Sequence, residues 1–131
     1  MLIIIKKEEK ILFIKMVEEL GEPAKKAVNQ GMLVEHDLGR LHVRELVAAL
    51  EKVKAGEEEA KLDVIANAIS YTHLLTRHID KEDRVIYKFA ERNLNDEIKE
   101  FINVECEKFE ISNEKIKNRY ILILEDLEKK Y

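Results

Sequence analysis

With 131 residues, the chain is long enough for one domain with a real hydrophobic core and too short for two comfortable ones. One proline, four glycines and 38% charged residues are too few turn formers for a sheet protein, and they fit long amphipathic helices. A net charge of −4, with both signs interspersed, excludes a basic nucleic-acid footprint, and no apolar run approaches the roughly 20 residues needed to cross a bilayer.

The opening Met-Leu-Ile-Ile-Ile is followed at once by a charged run from Lys6 to Lys10, so it is too short to be a signal peptide. Residues 2–20 read as the first helix, because Ile4, Ile5, Glu8, Leu12, Met16 and Leu20 fall on one stripe. Gly21 and Pro23 then stop one helix and start the next.

The second helix is predicted over residues 23–55, with Met32, Leu33, His36, Val43, Leu46, Leu50 and Val53 on its inner stripe and Gly56 at its end. The third, over residues 58–94, has the cleanest pattern: Val64, Ala68, Tyr71, Leu75, His78, Glu82, Val85 and Phe89 recur every three or four residues. A fourth helical region begins near Asn95 and is expected to break around Ser112 and Asn113, whose side chains can cap a new N-terminus. The segment bearing Ile116, Tyr120, Ile123, Leu124, Leu127 and Tyr131 is then expected to be helical to the end. Such helices can hide their apolar stripes only against one another, so the expected fold is all-α, an antiparallel up-and-down four-helix bundle forming a single domain over residues 1–131.

An internal echo links two helices. Lys7-Glu8-Glu9-Lys10-Ile11-Leu12-Phe13 matches Lys81-Glu82-Asp83-Arg84-Val85-Ile86-Tyr87 position by position. In the later copy His78 and Glu82 stand at i and i+4, so an imidazole and a carboxylate share one helix face. In the earlier copy Ile4 takes the place of the histidine and only Glu8 remains. His36 also lies on an inward stripe. A buried carboxylate requires a cation or hydrogen-bond partners, and imidazoles mixed with carboxylates suit iron, manganese or zinc rather than calcium.

The sequence resembles the hemerythrin-like HHE cation-binding domains. Met32-Leu33-Val34-Glu35-His36-Asp37-Leu38-Gly39-Arg40 is similar to the family's Glu-His-x-x-Gly-Arg helix, and His78-Ile79-Asp80-Lys81-Glu82 to its His-x-x-x-Glu helix. Lys7 to Phe13 resembles its other His-x-x-x-Glu helix. The resemblance implies a bundle around a non-haem, di-iron centre that binds dioxygen. Relative to the usual member, the chain lacks a preceding helix that supplies a histidine, and Ile4 stands where another is expected. Carried over residue by residue, the metal ligands are His36, His78, Glu82 and Glu8.

No nucleophile, phosphate loop or acid/base dyad stands outside that constellation, so binding, storage or sensing is expected rather than turnover. The alternative is a metal-free helical interaction module. A bundle short of one helix should expose an apolar face that pairs with a second copy or with a partner, unless the C-terminal helix closes the gap within the chain; of these a homodimer is the expectation. His42 and His73 fall off the inner stripes and read as surface or interhelical residues. Cys106 has no partner for an intrachain disulfide, which points to the cytoplasm, and it reads as a small hydrophobe rather than a nucleophile.

Overall fold

The computed structural model describes the backbone of residues 2–130 and the side chains of residues 4–130, so Tyr131 lies outside the described residues. Among the described residues there are four helices and no strand: α1 (residues 2–20), α2 (residues 22–54), α3 (residues 60–93) and α4 (Asp96–Glu128). These bounds fall within about two residues of those read from the periodicity, because the punctuation is strong. Gly21, at φ 67°, closes α1, and Pro23 opens α2, where its missing N–H costs nothing.

Gly56, at φ 95°, sits just past the last turn of α2. Its N–H donates to the Val53 carbonyl and that of Glu57 to the Lys52 carbonyl, both at 3.0 Å, which is the Schellman arrangement that reverses a chain tightly. Asn95 caps α4, with Oδ1 accepting from the Ile98 N–H at 2.9 Å.

The chain forms two compact units, one from the residues up to Lys15 together with those from Leu94 onward, the other from Met16 to Asn93. In the larger unit α2 and α3 make an antiparallel hairpin, with Glu35 opposite His78 and His42 opposite Asn67. Its interior is lined by Met16, by Ala24, Val28, Met32 and His36 at intervals of four, and by His78, Glu82, Ile86 and Ala90 at the same interval. In the smaller unit α1 and α4 are also antiparallel: Lys7 pairs with Glu110 at 2.6 Å, and Lys15 lies 5.2 Å from the Phe101 ring. Ile5, Phe13, Leu94 and Ile102 are buried there.

An interval of four is not the α-helical period, and the helices accommodate it with π segments at Glu8–Leu12, Val28–Met32 and Glu82–Ile86. Each inserts one residue into the ladder, which sets back the phase of everything beyond it by about 100°. The stripes read from the sequence therefore fail in places, and Leu50, expected on the inner stripe of α2, is exposed. Val85 is 55% exposed, and Ile86 and Ala90 point inward where Val85 and Phe89 were expected. Similarly, Phe13 rather than Leu12 is fully buried in α1, and Ile4 is exposed beside buried Ile5.

The break expected near Ser112 does not occur; α4 runs unbroken from Asp96 to Glu128. Ser112 Oγ and Asn113 Nδ2 both donate to the Phe109 carbonyl at 2.8 Å, so their side chains fold back on the preceding turn rather than capping a new one. No glycine or proline interrupts the stretch.

Candidate metal centre

Three of the four residues expected to bind metal meet inside the larger unit. Met32 ends the π segment of α2, and one regular turn later His36 is directed inward with 1% of its surface exposed. On the facing helix, His78 occupies the last regular turn of α3 and Glu82 the first position of its π segment. Glu82 is 5% exposed.

Nε2 of His36 and Nε2 of His78 lie 3.0 Å apart. Glu82 Oε1 is 3.2 Å from the His78 nitrogen and 4.0 Å from the His36 nitrogen. It does not align as a hydrogen bond to either, and it is a buried oxygen without a hydrogen-bond partner among the described residues. A triangle with these sides has its circumcentre about 2.0 Å from every corner, which matches the usual bond length of ~2.0–2.2 Å from a transition ion to imidazole nitrogen or carboxylate oxygen. The spacing of the donors therefore suits a metal ion in place of the proton they now share, and an ion would supply the buried Glu82 oxygen with the bond it lacks.

The second ring nitrogen of His78 is also engaged. Nδ1 lies 2.8 Å from Oε2 of Glu35, a half-buried carboxylate on α2 whose other oxygen accepts from Lys81. The Glu82 carboxylate does most to raise the pKa of His78, burial opposes it, and Glu35 adds to it, pushing the imidazole from 6.5 up to about 9. Burial works to raise the Glu35 carboxyl, but the hydrogen bonds and charges of Lys81 and His78 outweigh it and hold the group below its usual range. In the metal-free protein at neutral pH, His78 is thus an imidazolium bracketed by two carboxylates.

The sequence assigns no role to Lys81, and it shows Glu35 only as part of the Glu-His motif. The signal was present in retrospect, since each immediately precedes a ligand candidate, Glu35 before His36 and Lys81 before Glu82. In a facing pair of helices such neighbours meet across the seam.

Glu8, in the other unit, is buried at the first residue of its π segment, the place that Glu82 holds in α3. The two π segments thus coincide with the two copies of the sequence echo. His42 Nδ1 lies 3.2 Å from Asn67 Oδ1, bridging α2 and α3, and His73 is exposed, as their positions off the stripe required. Burial pushes the half-buried Cys106 thiol up, away from nucleophilic reactivity.

The family model for the hemerythrin HHE cation-binding domain matches residues 1–90, which contain every residue considered above as a ligand. The chain belongs to this family. The matched stretch of the HHE domain covers α1, α2 and nearly all of α3 and stops short of α4. No curated protein and no solved structure matches the chain significantly. The buried histidine and glutamate cluster agrees with the cation-binding character of the HHE family. In addition, none of the described helices of this HHE domain is long and apolar enough to cross a membrane.

Proposed function

We propose that this HHE domain holds a transition-metal ion through His36, His78 and Glu82, with non-haem iron as the leading candidate and zinc or manganese as substitutes. The observation that carries this reading is that Glu82 Oε1 and the Nε2 atoms of His36 and His78, all buried, converge at separations that suit a common ion. The sequence echo extends a ligand role to Glu8, the counterpart of Glu82, and with it a second iron. Bound iron would supply a site for dioxygen or a related small oxidant. The protein residues hold that ion, keep it from bulk water and, through His78, exchange a proton for it. Metal storage or the sensing of metal or dioxygen in the cytoplasm, rather than catalytic turnover, is the role this chemistry supports.

Elemental analysis of protein purified without chelator tests the reading. Wild type should carry metal at a fixed ratio near one or two ions per chain, His78→Ala should carry almost none, and Glu8→Ala should lose part of it. Metal-free wild type that also fails to take up iron(II), zinc(II) or manganese(II) would leave the alternative, a helical interaction module.

A specific observation favours self-association alongside metal binding. The stripe of α4 that is covered at Ile102, Cys106, Phe109 and Asn113 continues through Ile116, Tyr120, Ile123 and Leu127, all exposed and at heptad spacing. A second copy laid antiparallel and centred on Leu122 sets Arg119 opposite Glu125 and Glu114 opposite Lys130. We therefore propose a homodimer through the end of α4. Light scattering after gel filtration should give twice the chain mass for wild type and the single mass for Ile123→Glu. A monomeric wild type at micromolar concentration would rule it out.

A further inference from the structure

We infer that Glu35, steadied by Lys81, is a positioning residue that turns the His78 imidazole so that Nε2 faces the ion. This inference deepens the metal-binding reading and rests on it.

The argument starts from the two nitrogens of His78. An imidazole can coordinate an ion through only one of them, and the other must then carry a proton, so whatever accepts that proton fixes both the tautomer and the ring orientation. Here Nδ1 faces Glu35 Oε2 at 2.8 Å, while Nε2 faces His36 Nε2 at 3.0 Å and Glu82 Oε1 at 3.2 Å. Rotating the ring by half a turn would place a carbon against Glu35 and lose that hydrogen bond. The Glu35 carboxylate is in turn not free to swing, because its second oxygen is bound by the Lys81 ammonium across the same helix seam.

The arrangement is a cross-brace. On α2 one residue faces the ion and its neighbour orients the histidine of α3. On α3 the residue before the glutamate candidate returns to clamp that orienting carboxylate. Four consecutive-pair positions, Glu35 with His36 and Lys81 with Glu82, therefore act as one device, and the echo in α1 lacks its histidine and so has nothing to orient.

The test is zinc(II) affinity, measured by competition with a chromophoric chelator at a series of pH values and compared where each protein's affinity no longer rises with pH, so that the proton His78 gives up does not enter, on wild type, Glu35→Ala, Glu35→Gln and Lys81→Met. Glu35→Ala should bind 10- to 100-fold more weakly, the range found when such a partner of a metal-bound histidine is removed. Glu35→Gln keeps an acceptor for the Nδ1 proton and should recover to within about fivefold of wild type. Lys81→Met should fall between the two. Glu35→Ala within twofold of wild type, or Glu35→Gln as weak as Glu35→Ala, would overturn the inference.

A second readout needs no metal and separates this inference from the reading beneath it. In nitrogen-detected NMR of chelator-treated protein, titrated until the His78 signals show the neutral ring in each protein, His78 should be the Nδ1–H tautomer in wild type and shift towards Nε2–H in Glu35→Ala. The same tautomer mixture in both proteins would overturn the positioning role. Failure of wild type to bind zinc(II) with the tautomer difference intact would instead count against the metal site alone.

Discussion

Raising the pH of the metal-free protein should weaken it, and below pH 9, before the raised Cys106 thiol comes into play, one residue should account for most of the loss. His78 is lifted from 6.5 to about 9 because its imidazolium stands between Glu82 Oε1 at 3.2 Å and Glu35 Oε2 at 2.8 Å. A group whose folded pKa is raised binds its proton more tightly in the native state. Its stabilisation is complete below the unfolded pKa and vanishes as pH climbs through the folded one. At about 1.4 kcal/mol per unit, the window from 6.5 to about 9 is worth on the order of 3 kcal/mol, a large part of the ~5–15 kcal/mol that holds a domain of this size. The lowered carboxyl of Glu35 does not interfere, since its contribution is present above the usual carboxylate range and lost only in acid. Urea unfolding of chelator-treated protein from pH 5.5 to 9.5 at constant ionic strength measures the effect. His78→Gln should flatten the decline between pH 6.5 and 9. A wild-type curve level to about 0.5 kcal/mol across that window, or an equal slope in His78→Gln, would refute the reasoning.

The same proton must leave when an ion enters, so zinc(II) affinity should rise about tenfold per pH unit from 7 towards 9 and level off above, as chelator competition at each pH would show. Phe13→Ala should destabilise the chain by about 3–5 kcal/mol in urea titration, because its ring is 2% exposed and leaves a cavity in the smaller unit. Asn95→Ala removes the side-chain acceptor at the start of α4 and should cost about 1 kcal/mol, read as a lower Tm with unchanged helical signal below the transition.

The fold was legible because its punctuation is chemical. Gly21, Pro23, Gly56 and Asn95 each do in the structure what their residue types demand, and the apolar stripes between them admit only helix. The inward placement of His36, His78 and Glu82 was legible for the same reason, since each lies on a stripe whose phase is set locally. Legibility fails wherever phase is altered without a change of residue type. Nothing in Glu82-Asp83-Arg84-Val85-Ile86 announces a π turn, so a strict α period carries Val85 inward although Ile86 takes that place. At Ser112 and Asn113 the residue types permit both a cap and a bond back to Phe109, and only the unbroken helix around them selects the second. The roles of Glu35 and Lys81 escaped notice because they depend on how two helices are rotated against each other, a quantity that neither segment encodes alone.

The π segments have a further consequence for how such a helix tolerates insertions and deletions. Each holds a surplus residue, so excision of one exposed position inside it, Asp83 or Arg84 in α3, would relax the turn to an ordinary α-helix while leaving His78 and the stretch beyond Ile86 in nearly their present rotational settings. The same excision a turn earlier would twist one half of the helix against the other and turn Ile86 and Ala90 outward, and a turn later it would turn Ala90. Length changes should therefore accumulate within these three short windows, and a sequence comparison that finds gaps there records a helix shedding slack rather than losing its alignment.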